Sequence, residues 1–336
     1  VPAPRRSVAL VALAAVVAAS LLAAVPHVAS AGQPVALLVN TTADTFDGTC
    51  DEADCSLRDA IATAGPGGRV RVPSGFYTLT RTGDGGIGRG DIDVRASITI
   101  AGVGETGAFI DASQLGERAF TLGASAADGR YELRRLTIFG SRDATIDGGA
   151  VLVRSGTARF RRVTISSARG ADGGAVWSSA RSSLLVVDSL LIDNLASGTG
   201  GAIHSRGRLA LLRSTLAGNR ATDGGGLAST GEGATVERST IAENVAASSG
   251  GGVALTSGAT LDAVTVADNR ADRGGGIFRP ASASGDVSVG GSIVSDNRAD
   301  RSRDCAAALV SLGGNAGLAK GCGLRSPADR TGVDPQ

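Results

Sequence analysis

From about Val151 to Ile277 the apolar residues follow two periods at once. On the short scale they alternate: Leu184 and Val186, Leu209 and Leu211, Ala234 and Val236, and Ala259 and Leu261 share one phase, and Leu191, Leu216, Ile241 and Val266 mark a second short segment. A period of two predicts strands, not helices. On the long scale, an aliphatic residue closes a glycine cluster at Val151, Val176, Ile203, Leu227, Val253 and Ile277, with spacings of 25, 27, 24, 26 and 24 residues. Strands this short cannot bury a face alone, whereas coils stacked one on the next form continuous parallel sheets around an apolar column. The pattern therefore predicts an all-β chain folded as a single-stranded parallel β-helix, a solenoid of about 25-residue coils over residues 86–300.

Two polar landmarks keep the same schedule. Glycine recurs where each coil must turn sharply, at a positive φ or where a side chain would clash. Asparagine follows an aliphatic residue by three positions at Asn194, Asn219, Asn244, Asn269 and Asn297. Asparagine tolerates the left-handed conformation, and like amides one coil apart, ~4.8 Å, can bond into a ladder. These five residues are expected to be architecture: left-handed corners joined by a structural ladder. The repeat is weaker before residue 150, where Leu133, Leu136 and Ile138 match Phe160, Val163 and Ile165 and lack the asparagine. Near the amino end Ser56-Leu57-Arg58-Asp59 reads as a capping box, and Leu57, Ala60, Ile61 and Ala64 follow at helical spacing. A short helix there would plug the open end of the solenoid.

Composition narrows the core and the compartment. With 42% hydrophobic but only 3% aromatic residues and 50 glycines, the core must be built from Val, Leu, Ile and Ala. Arg5 and Arg6 precede an uncharged apolar run from Val8 to Val25 and the small-x-small sequence Ala29-Ser30-Ala31, which predicts a cleaved signal peptide over residues 1–31. An uncleaved anchor is the rival reading of that run. Loss of Arg5 and Arg6 leaves 31 basic against 32 acidic residues. That balance offers nucleic acid no concentrated basic surface. Export would place the cysteines in an oxidising compartment. Cys50, Cys55, Cys305 and Cys322 allow three pairings, and their clustering favours Cys50 with Cys55 and Cys305 with Cys322, against a four-cysteine zinc site that lacks two-residue spacing.

The segment CSLRDA at Cys55 to Ala60, preceded by VNTTADTFDGTC and followed by VRVPSGFYTLT, resembles the CSLREA motif of secreted bacterial right-handed β-helix proteins. SIVSDNRADRSRDC with GGN and GVDP is similar to the choice-of-anchor Q region of the same group. The resemblance spans nearly all of the mature chain. It implies a right-handed, pectate-lyase-like β-helix, divided here into a cap at 32–85, the helix proper at 86–300 and a disulfide-containing segment at 301–336. It implies little about chemistry, since such folds serve both as surface modules and as catalytic scaffolds.

Candidate chemistry lies in two columns. Asp193, Glu243, Asp268 and Asp296 precede the asparagines, and Arg220, Arg270 and Arg298 follow them; stacked carboxylates could hold Ca²⁺ and a base for lyase chemistry, and otherwise form an exposed charge lattice. Alternation places Leu152, Trp177, His204, Ala228, Ala254 and Phe278 on the outside of the glycine-following strand. There Trp177, His204 and Phe278 would make a solvent-facing ligand platform. The GVGETG stretch at Gly102 to Gly107 matches a dinucleotide fingerprint but is followed by strand-like residues, so it reads as a turn. No Ser/His/Asp triad can be argued around His204 from spacing alone. The expected protein is a secreted, monomeric structural or adhesive module of the cell envelope, with no cofactor, no membrane span after cleavage, and an extracellular polysaccharide or surface protein as its partner. The alternative is a polysaccharide lyase or hydrolase that uses the acidic column.

Overall fold

A computed structural model describes residues 35–83, 86–124, 128–317 and 321–332. The expected signal peptide, residues 1–31, lies outside them. One coil illustrates the whole. Arg208–Leu212 forms side 1, Thr215–Ala217 side 2, Arg220–Asp223 side 3 and Leu227–Ser229 side 4, after which Ala234–Glu237 returns to side 1 of the next coil. Every strand pairs in parallel with its counterpart one coil away, so that sides 1 and 2 become sheets of 11 strands, side 4 one of 9 and side 3 one of 6 among the described residues. This is a parallel β-helix.

The registers are those the sequence periods require. Val151, Val176, Ile203, Leu227, Val253 and Ile277 stand opposite one another on side 4, and all six are fully buried. Leu184, Leu209, Ala234 and Ala259 stack on side 1, as do Leu191, Leu216, Ile241 and Val266 on side 2. These columns fill the interior with aliphatic side chains, so each coil's apolar surface is removed from water by its two neighbours.

Each corner has its own solution. Between sides 3 and 4 the first glycine of the cluster is left-handed, as at Gly224 with φ +64°. The second is packed too closely for any side chain, since a Cβ on Gly225 would run into the carbonyl of Gly251. Between sides 2 and 3 the left-handed residue is not the asparagine. It is the residue before it: Asp193, Gly218, Glu243, Asp268 and Asp296 have φ between +53° and +66°. The expectation of left-handed asparagines is therefore corrected. The asparagine turns its side chain into the core instead, and the solvent-facing acidic residue adopts the uncommon backbone.

The pairing runs from Ala36–Leu38 to Arg330–Thr331, so the segments at both ends add strands to the same sheets. Helix α1, Leu57–Thr63, closes the amino end with Leu57, Ala60, Ile61 and Ala64 buried beneath it. Ser56 is its N-cap, accepting from the Asp59 N–H. The box is not reciprocal, however. The Asp59 carboxylate takes the Ser56 hydroxyl and the N–H groups of Asp47 and Gly48, which fastens the preceding loop to the helix instead of the Ser56 N–H. Disulfides join Cys50 to Cys55 and Cys305 to Cys322.

Candidate functional site

The asparagines form a continuous chain of hydrogen bonds inside the corner between sides 2 and 3. The amide of Asn194 donates to Oδ1 of Asn219 at 2.9 Å, Asn219 to Asn244 at 2.9 Å, Asn244 to Asn269 at 3.0 Å and Asn269 to Asn297 at 2.9 Å. Each Nδ2 also donates to a side 2 carbonyl one coil back, as Asn244 does to Leu216. The chain has a direction, so its last member needs a pure acceptor, and Asp304 supplies it: Asn297 donates to Oδ1 from its backbone at 3.3 Å and its side chain at 3.1 Å. Burial pushes the Asp304 carboxyl above the ordinary carboxylate range, against the hydrogen bonds that favour its charge. All six residues are buried, and only the last two, Asn297 and Asp304, reach the lining of a cleft.

The acidic column beside it is exposed. Among the described residues no salt bridge joins Asp193, Glu243, Asp268 or Asp296 to Arg220, Arg270 or Arg298, and no group of three His, Cys, Asp or Glu side chains is arranged to hold a metal ion. These carboxylates are spread along successive corners, and only Asp268 and Asp296 line a common cleft, of about 500 Å³, with Arg298, Arg303 and Asp304.

The outer face of side 4 is different from the open platform expected. Trp177 and Phe278 are half-buried and His204 is only 7% exposed. Trp177 and His204 are neighbours in register and meet edge to face with centroids 6.4 Å apart. The Arg206 guanidinium lies over the indole at 6.0 Å, and Arg273 covers Phe278 at 5.4 Å. Phe278, three coils from His204, takes no part in the same cluster.

His204 is held from both sides. Its Nδ1 is 2.9 Å from the Thr199 hydroxyl and 3.5 Å from Asp172 Oδ2, while its Nε2 is 3.1 Å from the Thr230 hydroxyl. Thr199 donates its one hydroxyl proton to Asp172 Oδ1 at 3.0 Å. The Nδ1 contact therefore requires Nδ1–H to donate to Thr199, which leaves Nε2 as an acceptor for the Thr230 O–H. Burial pulls the imidazole below its usual value, and the Arg206 charge adds to this; Asp172 and Asp147 oppose it. Thr230 itself is exposed.

Of the partners of His204 only Thr199 is near in sequence; the other two are one coil away in each direction. Asp172 lies 32 residues before it and Thr230 26 after it. The signal that could have found them is the coil period itself, applied to the polar residues at the two ends of the side 4 strand.

Two clefts of about 780 and 570 Å³ adjoin on this face and share Arg118 and Arg154. In the first, Arg118 pairs with Asp91 at 3.0 Å, and Asp93 is raised by burial and by the nearby Asp91 charge. The second is lined by Trp177 together with Arg154, Arg181 and Arg206. These three arginines are exposed and make no salt bridge among the described residues.

Neither a protein-family model nor a curated protein matches the chain. Among solved structures, the A-module of the Azotobacter vinelandii mannuronan C-5 epimerase AlgE4 is similar over 75% of this chain and 83% of its own, at 15% identity and a TM-score of 0.30.

Proposed function

We propose that the protein is an extracellular β-helix module that binds an acidic polysaccharide along the outer face of side 4. The observation that carries this reading is the half-buried Trp177 in a cleft with three cations that make no salt bridge among the described residues, Arg154, Arg181 and Arg206. An indole edge offers apolar area to a sugar ring, and guanidinium groups match carboxylates in a fixed fork. The Arg154 and Arg206 positions head the same column two coils apart, about 9.5 Å at twice the strand spacing, so their charges recur along the solenoid axis as charges recur along a polymer. Secretion is supported by the signal-like residues 1–31 and the two disulfides. No helix among the described residues is long and apolar enough to cross a membrane. The CSLRDA segment and the carboxyl-terminal sequence support a place among CSLREA and choice-of-anchor Q surface proteins.

The test is binding of the purified mature chain to polygalacturonate, with neutral dextran as the control. Affinity for polygalacturonate should fall with salt, and Arg154→Ala/Arg206→Ala should weaken it about tenfold or more. Equal retention on dextran, or no retention on either polymer, would reject this reading.

A further inference from the structure

We propose that Thr230, His204 and Asp172 form an acyl-transfer site that hydrolyses esters borne by the polymer lying along side 4. The inference rests on the preceding reading for the polymer but not for the chemistry. Two features of the geometry carry it. Thr230 is exposed, and the lone pair of His204 Nε2 is directed at its hydroxyl at 3.1 Å. The other ring nitrogen has its proton fixed by Thr199, which is in turn anchored to Asp172 through both its hydroxyl and its N–H. An activated hydroxyl, a base in its neutral tautomer and a carboxylate behind the base are the roles that nucleophilic acyl transfer requires. Arg206 occupies the position equivalent to Thr230 one coil earlier, since Ser205 and Ser229 pair in register. Its guanidinium lies over Trp177 at 6.0 Å, one coil further from Thr230, so it would have to swing across to meet an oxyanion there.

The steps balance. The Thr230 oxygen attacks the ester carbonyl while its proton passes to His204 Nε2; the tetrahedral intermediate expels the sugar alkoxide, which takes that proton. Water then attacks the acyl-threonine, again giving a proton to His204, and the return of that proton to Thr230 releases the carboxylic acid. The low pKa of His204 suits this role, because the base form is then present at neutral pH. The charged groups facing the ring are Asp172 and Asp147 from the corner into side 4 and Arg206 from its exit. Asp172 does not touch the reacting atoms and acts as a positioning residue.

The mature protein would be assayed with p-nitrophenyl acetate, which needs no polymer cleft. The rate should rise with pH through one ionisation below 6.5 and then level off. Thr230→Val and His204→Gln should each lower it about 100-fold or more, and Thr230→Ser should retain it. Asp172→Asn should move the ionisation to lower pH, since it removes a charge that draws a proton onto the ring. Mass mapping at low pH should find acetyl on the peptide that contains Thr230. Melting temperatures of all variants would show that the exposed Thr230 can be replaced without unfolding. A wild-type rate equal to buffer, or a Thr230→Val rate equal to wild type, overturns the proposal. Ester hydrolysis in a protein that does not bind polygalacturonate keeps this inference and overturns the polymer reading alone.

Discussion

Glu243 and Asn244 are adjacent in sequence and meet opposite requirements. Glu243 takes the left-handed backbone of the corner, φ +59°, in contact with solvent. Asn244 is fully buried and accepts from both the N–H and the amide of Asn219 while donating to Leu216 and Asn269. Asn244→Ala therefore strips the acceptor from two buried donors, and a cost of about 3 kcal/mol is expected. Asn244→Gly should do no better, since no left-handed strain exists there to be relieved. Glu243→Gly is the contrasting change and should be neutral or stabilising by up to ~1 kcal/mol. Thermal melts of the three variants check the assignment; rescue by glycine at 244 would contradict it. The column of amides was legible from the 25-residue recurrence. Which of two neighbours bears the positive φ was not, because Asp and Asn both tolerate that region and the choice is made by the buried carbonyls the amide must reach.

Helix α1 shows what a pattern of apolar positions conveys and what it omits. Its buried face was legible as Leu57, Ala60, Ile61 and Ala64. The burial of Arg58 was not, since its partners lie in loops without period. The guanidinium is fully buried, pairs with Asp44 at 2.6 Å and donates to the carbonyls of Ile87 and Gly90, while Asp44 also accepts from the N–H groups of Thr80 and Arg81. One ion pair thus ties the helix to two loops across the end of the solenoid. Arg58→Met would leave the Asp44 carboxylate buried without its cation, and a loss of about 3–5 kcal/mol is expected. Hydrogen exchange should show that loss in residues 36–100, with the coils beyond residue 150 protected as before. The same limit explains the side 4 cluster: alternation puts His204 outside, but Thr199, Thr230 and Asp172 then fold over it, so an outward direction did not mean an exposed side chain.

At the scale of the molecule each coil contacts only its neighbours, so stability is close to a sum of coil and interface terms and can be lost from one end. The amino end is sealed by α1. The carboxyl end is sealed by different means. Cys305 extends side 4 opposite Ile277, its disulfide to Cys322 brings the chain back, and the Leu309 N–H bonds to the Cys322 carbonyl at 3.2 Å. Asp304, next to Cys305, is the acceptor in which the asparagine chain ends. Opening this disulfide frees a loop of 17 residues' separation, worth ~3 kcal/mol in the chain-entropy treatment, and it also loosens the residue that terminates the ladder. Cys322→Ser should therefore fray the molecule from residue 332 back towards 298, with Asn297 the next link to lose protection. Coils between 150 and 220 should keep their exchange rates, because no contact carries the loss to them except through each intervening interface. A variant that instead lost protection evenly from Ala36 to Thr331 would show one cooperative unit, and the nearest-neighbour account of this solenoid would fail.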